Sequence, residues 1–183
     1  MLGIDPGLSR CGYGAVVREA AGLRAAACGV LTTPKEAPLP DRLATLMREL
    51  HDLVAELQPD VVVVERVFFQ TNARTATPVA QASGLALAIA SDAGAAVVQY
   101  TSNEVKQSVA GYGAASKEQV QRMVQALLRL DKRPHPADAA DALALALCHH
   151  AVGNVLARLP ENSGVSKGRY PPPNHSRVSR GGR

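Results

Sequence analysis

Tryptophan is absent from the 183-residue chain, and two phenylalanines and four tyrosines are its only other aromatics, 3% of the whole. A core built without large rings must close on aliphatic and alanine side chains, so a ring in a polar loop stands out. No apolar run approaches the roughly 18–20 residues needed to cross a bilayer, and we expect no membrane partner. The first residues carry no signal-peptide pattern, since an acid arrives at Asp5, and a cytoplasmic location is expected. Cysteine is scarce and odd in number. Cys11, Cys28 and Cys148 lie far apart in apolar surroundings, which argues against bridges or a zinc site and predicts buried thiols in a reducing compartment. None has a matched histidine, so a Ser- or Cys-type nucleophile is unsupported.

The chain does have 46% hydrophobic residues, enough for one α/β domain and too few for two large ones. Its formal net charge of +4 is unevenly placed. Five of the 20 basic and one of the 16 acidic residues fall in 160–183, so the preceding 159 residues carry fifteen of each sign. If four of those acids gather around cations, the remaining surface is net positive and suits a polyanion. Residues 160–183 are rich in Pro, Gly, Ser and Arg, which predicts a disordered basic tail behind a folded domain of residues 1–159.

The stretch Leu2-Gly-Ile-Asp5 reads as a short buried strand ending in a carboxylate. Pro6 and Gly7 cannot extend a ladder, so the chain reverses there and leaves Asp5 at a cleft. Cys11–Arg18 and Leu23–Leu31 read as two more strands. Asp41 is the expected cap of a helix running to about Gln58, with an apolar stripe from Leu43 to Leu57. Val61–Val64 is a continuous β-branched run, as in a strand buried on both faces, and it ends in Glu65. Thr77 and Pro78 have the chemistry of a helix start, giving a helix from there to about Ala93. Ala95–Tyr100 is a fifth strand, and Thr101–Glu104 has capping-box spacing for a short helix carrying Lys106. A further helix starts at Ser116 and ends about Arg129; the last runs from Ala137 to about Ala157. His149 and His150 read as partners for the negative end of that last helix. The order β-β-β-α-β-α-β-α-α-α predicts an α/β, ribonuclease H-like fold: a five-stranded mixed sheet, ordered 3-2-1-4-5, flanked by helices. Asp5 and Glu65 would then stand side by side at the switch point, where open α/β sheets hold ligands.

Asp138 and Asp141 are three apart on the last helix and share one face. They can simply complement the helix dipole. Yet alanines and leucines surround them, and acids in an apolar segment are costly to bury without a cation or partner. Four hard oxygen donors from two strand ends and one helix suit Mg²⁺ or Mn²⁺ rather than zinc. They can hold two ions about 4 Å apart, able to activate a water and stabilise a leaving 3′ oxygen in an in-line attack on phosphate. Asp5, the most central acid, is the expected bridging ligand.

Taken together, Gly3-Ile-Asp-Pro-Gly7 with Gly12-Tyr-Gly14, Glu65 before Val67-Phe68, Gln81 with Gly84, Val105-Lys-Gln107, Gly111 to Gly113, Lys117 with Gln119-Val-Gln121, and Ala137-Asp-Ala-Ala-Asp-Ala-Leu-Ala144 resemble the RuvC family. The resemblance spans residues 1 to about 150 and leaves out the tail. It implies a crossover junction endodeoxyribonuclease of bacterial recombinational repair. Such an enzyme is a Mg²⁺-dependent homodimer, with Mn²⁺ able to substitute, that resolves four-way Holliday junctions by paired symmetric nicks beside the RuvA and RuvB branch-migration proteins. Asp5, Glu65, Asp138 and Asp141 match the family's catalytic, metal-binding acids.

Both phenylalanines, Phe68 and Phe69, fall in the loop after Glu65. In an extended segment neighbours point to opposite sides, so one ring can anchor in the core while the other stacks on an unpaired base. The resemblance gives the stacking role to Phe68, leaving Phe69 as anchor. It also raises Lys106 and Lys117, otherwise ordinary solvated lysines, to DNA contacts; Arg66, Arg74 and Arg122 are further phosphate contacts on position alone. A two-fold dimer would present two acid clusters to a two-fold junction, with helix 77–93 as the expected contact. A catalytically inactive junction-binding module and an RNA-cleaving ribonuclease H relative are the other readings. An actin-like ATPase, suggested by the Gly-Ile-Asp-Pro-Gly turn, needs a second domain for which there is no room.

Overall fold

The structure is a computed structural model that describes residues 1–67 and 73–158. Phe68, Phe69 and the tail from 160 onward lie outside the described residues, as does the side chain of Arg74.

Five strands, β1 (Leu2–Asp5), β2 (Arg10–Glu19), β3 (Gly22–Thr32), β4 (Val61–Glu65) and β5 (Ala96–Tyr100), form one sheet in the order β3-β2-β1-β4-β5. The first three pair antiparallel as a meander, while β1–β4 and β4–β5 are parallel. Helix α1 (Leu39–Leu57) precedes β4, α2 (Ala73–Asp92) precedes β5, and α3 (Ser102–Ala110), α4 (Lys117–Leu127) and α5 (Ala137–Arg158) follow. This is the fold the sequence predicts.

Because strand side chains alternate, each strand feeds two cores. Leu2, Ile4, Val62 and Val64 pack with Leu46, Leu50 and Val54 of α1 and with Ala82, Ala86 and Ala90 of α2. Val16 and Val63, on the other face, pack with Val105, Val109, Val120, Val124 and the Leu143–Cys148 stretch of α5. Val62, Val63 and Val64 are fully buried, each contributing about 1.5–3 kcal/mol of burial free energy. Helix α5 is apolar on all sides because it lies between the sheet and the α3–α4 pair.

Three glycines set how closely α5 lies. Gly3 pairs with Gly14 and Asp5 with Gly12 across β1 and β2, so all four residues share one face. A Cβ at Gly3 would run into the Ala142 carbonyl, one at Gly12 into the Asp138 carbonyl, and one at Gly14 into Leu143. The helix therefore rests on strand backbone, with its first turn beside Asp5.

Some local expectations are corrected. Helix α1 starts at Leu39 with Pro38 at its cap, and Asp41 lies inside the first turn without a capping bond, because Pro40 is accepted there. Helix α2 starts at Ala73, not Thr77; Pro78 sits inside it, costing one backbone hydrogen bond without ending the helix. His149 and His150 are interior to α5, which runs on to Arg158; His149 Nδ1 lies 3.1 Å from the Tyr100 hydroxyl and His150 Nε2 3.4 Å from Arg18. Burial lowers the pKa of both. Cys11 and Cys148 are buried thiols, but Cys28, on edge strand β3, is exposed.

Replacing Gly3 by alanine should cost at least ~1–3 kcal/mol, since the backbone it meets cannot swing aside. A denaturant melt superimposable on the parent's would show that α5 is free to slide off β1.

Candidate active site

Asp5 ends β1 and Glu65 ends β4, one step beyond the parallel pair Ile4–Val64. Both acids point to the α5 face, and their side chains hydrogen-bond each other. Asp141 joins them from the first turns of α5. These three acids line one cavity of about 460 Å³ with Ser102, Lys106 and Lys117. Thr101 and Ser116 close full capping boxes at the starts of α3 and α4, fixing the two helix ends that carry the lysines to the rim.

The electrostatics follow from burial and like charge. Burial pushes Asp5 up to about 7, helped by the nearby charges of Glu65, Asp141 and Asp138 and by its bond to Glu65. Glu65 is also raised, mainly by burial, against the opposing effect of its bond from Asp5 and of the two lysines. Burial and like charge thus favour a proton held within the Asp5–Glu65 pair. Lys117 lies 2.6 Å from Asp141, and that bond raises its pKa. Burial takes the Cys11 thiol up to about 12, leaving it inert as a nucleophile.

Asp138 is placed differently. It is on the same helix face as Asp141, but its carboxylate turns to Arg10 at the start of β2, 2.7 Å away, and does not line the cavity. Among the described residues, no three acidic, histidine or cysteine side chains close around one point as a finished metal site would. The chemistry of the donor set nonetheless fits a divalent ion. Hard carboxylate oxygens are gathered there, half-buried and close enough to raise one another's pKa, and no histidine nitrogen or cysteine sulfur is among the residues lining the cavity.

Lys106 and Lys117 both line the cleft. Arg66 reaches back to the Gln99 carbonyl at 3.4 Å, and Arg122 pairs with Glu118 at 3.0 Å. Arg10 was missed by sequence reasoning. The available signal was strand parity: Arg10, Gly12 and Gly14 alternate on one strand, so the glycines that receive α5 put Arg10 on the same side.

A mixed sheet of this order, with acids at two adjacent strand ends and on the covering helix, defines a nuclease of the ribonuclease H-like class. Residues 1–149 match the family described as crossover junction endodeoxyribonuclease RuvC. The chain belongs to the RuvC family. The crossover junction endodeoxyribonuclease RuvC of Syntrophomonas wolfei is 48% identical over 149 residues, 81% of this chain and 87% of that protein. Among solved structures, Thermus thermophilus RuvC superposes with a TM-score of 0.77 at 35% identity, covering 85% of this chain and 96% of that one. The same protein in complex with Holliday junction substrate superposes with a TM-score of 0.78, covering 84% and 94%.

A folded-state pKa of about 7 against an ordinary 3.8 means that Asp5 holds its proton between those pH values only in the fold. Stability contributed by this group is present at acid pH and lost as pH rises through about 7. Without divalent ions, Asp5→Asn should therefore raise the melting temperature more at pH 8 than at pH 5; equal effects at both would show that Asp5 is not held protonated.

Proposed function

We infer that this protein is a structure-selective endonuclease that resolves four-way Holliday junctions by paired, symmetric nicks in DNA recombination and repair. The observation that carries the reading is the cleft in which Asp5, Glu65 and Asp141 meet beneath two lysines, in a chain of the RuvC family. The readings as an inactive binding module or an RNA nuclease have no comparable support.

In this reading Asp5, Glu65, Asp138 and Asp141 hold Mg²⁺, with Mn²⁺ able to substitute. The ions supply Lewis acidity toward the attacking water and the scissile phosphate. A cation held there would favour the ionised form of Asp5, whose raised pKa comes from burial and neighbouring negative charge. Lys106 and Lys117 attract the backbone and hold phosphate at the cleft mouth. Phe68, two residues beyond the exposed Arg66, is assigned to stacking on an unpaired base, which would hold the strand open at the branch point.

Two nicks need two clefts, so the acting species is a homodimer with RuvA and RuvB as branch-migration partners. The α2 face supports the dimer. Gly84 and Ala88 are exposed there, Gly84 with open space beyond it, and a groove of about 480 Å³ between α1 and α2 is lined by Met47, His51, Ala88 and Ile89. Small residues let a second helix approach closely.

With a mobile four-way junction and Mg²⁺, the protein should give paired nicks that ligase reseals. Asp141→Asn should abolish them while leaving junction affinity within about twofold, because the lost charge is repulsive to DNA; products on linear duplex alone, or residual full cutting, would reject the assignment. Ala88→Arg should halve the mass seen by light scattering and uncouple the nicks; an unchanged dimer would move the interface elsewhere.

A further inference from the structure

Two basic side chains from different elements each hold one of the acids. Lys117 on Asp141 belongs to the site already described; Arg10 on Asp138 does not. Nε and Nη2 of Arg10 lie 2.9 and 2.7 Å from a single oxygen, Oδ2 of Asp138. The pair is partly open, with side-chain exposures of 49% and 26%. It sits where Gly12 lets the first turn of α5 meet β2. A guanidinium stays charged at any working pH, so it leaves a carboxylate only when another cation takes the acid or another anion takes the guanidinium. Both exchanges are native to this cleft. A divalent ion competes for the same oxygen, and a phosphodiester offers Arg10 an equally good fit for its planar fork.

We propose that Arg10 is a positioning residue that competes with the divalent ion for Asp138 and is drawn off by substrate phosphate, so that cation loading is coupled to DNA binding. The inference rests on reading the acids as the cation site. In the DNA-free chain Arg10 both occupies Oδ2 and adds a positive charge, and each weakens cation binding. When phosphate engages the guanidinium, Asp138 is freed to turn toward Asp5 and Asp141. Coupling is reciprocal: a loaded cation must equally favour phosphate binding. If Arg10 served only to tie β2 to α5, its removal would loosen the helix and leave cation binding unchanged or weaker. Competition predicts the opposite sign.

The test is Mn²⁺ titrated into the full chain without DNA, with free ion followed by electron paramagnetic resonance. Arg10→Ala should tighten Mn²⁺ binding about fivefold or more, the lower end for coupled sites. The gain should largely vanish when Asp138 is already Asn, and adding a four-way junction should tighten Mn²⁺ binding more in the parent than in Arg10→Ala. Unchanged or weaker binding by a folded Arg10→Ala would overturn the proposal. So would an equal gain in the Asp138→Asn background, which would reduce the effect to general charge. Should Arg10→Ala fail to fold, Arg10→Lys, which keeps the charge but loses the fork, must still bind Mn²⁺ more tightly than the parent. Absence of Mn²⁺ binding in the parent, with or without the junction, and in Arg10→Ala alike would overturn the cation site itself, a failure distinct from a parent that binds as tightly as Arg10→Ala.

Discussion

The contact between the α5 backbone and the bare strand backbone at Gly3, Gly12 and Gly14 is the constraint from which the rest follows. A helix held off by side chains would keep its first turn several ångströms farther from the sheet. Lying on glycine, α5 brings Asp138 and Asp141 to the level of the strand ends, where Asp5 and Glu65 already stand. The same contact buries the helix on its other side against α3 and α4, whose capped N-termini carry Lys117 and frame Lys106. One packing decision thus assembles acids and lysines from five elements.

The cost of that assembly is like charge in a half-buried place. Three responses to it are visible. Asp5 keeps a proton shared with Glu65, Lys117 pairs with Asp141, and Arg10 pairs with Asp138. Each is a pairing that a cation bound as proposed would compete with, rather than one that only a change of fold could undo. The arrangement accounts for the acids lying in one region without closing into a finished coordination shell.

The fold was legible because its signals are local and strong: a Pro-Gly turn after a strand-end acid, a pure valine strand, and a capping box at Thr101 that forms as written. Strand order followed from element order, and with it the adjacency of Asp5 and Glu65. What sequence could not supply was side-chain direction under competition. Nothing in Asp-x-x-Asp spacing tells which acid faces the cavity and which an arginine 128 residues away. Proline marked a helix start that lies one turn earlier, because tertiary packing tolerates one missing bond. The histidine pair was read as serving the negative end of the last helix, although both lie well inside it, beside the Tyr100 hydroxyl and Arg18. Cys28 was misjudged because an edge strand leaves part of an apolar pattern in solvent.

Placing two of the acids on the last described helix has a consequence for the timing of synthesis. A growing chain has strands β1 and β4 early, but no complete acid set until residues 137–158 have emerged and docked. Ribosome-bound fragments that lack α5 therefore hold only two of the four acids proposed to carry the cut, and a molecule in which α5 has lifted off separates the same two pairs. On the proposed function, the cleft is complete only in a molecule whose α5 has docked.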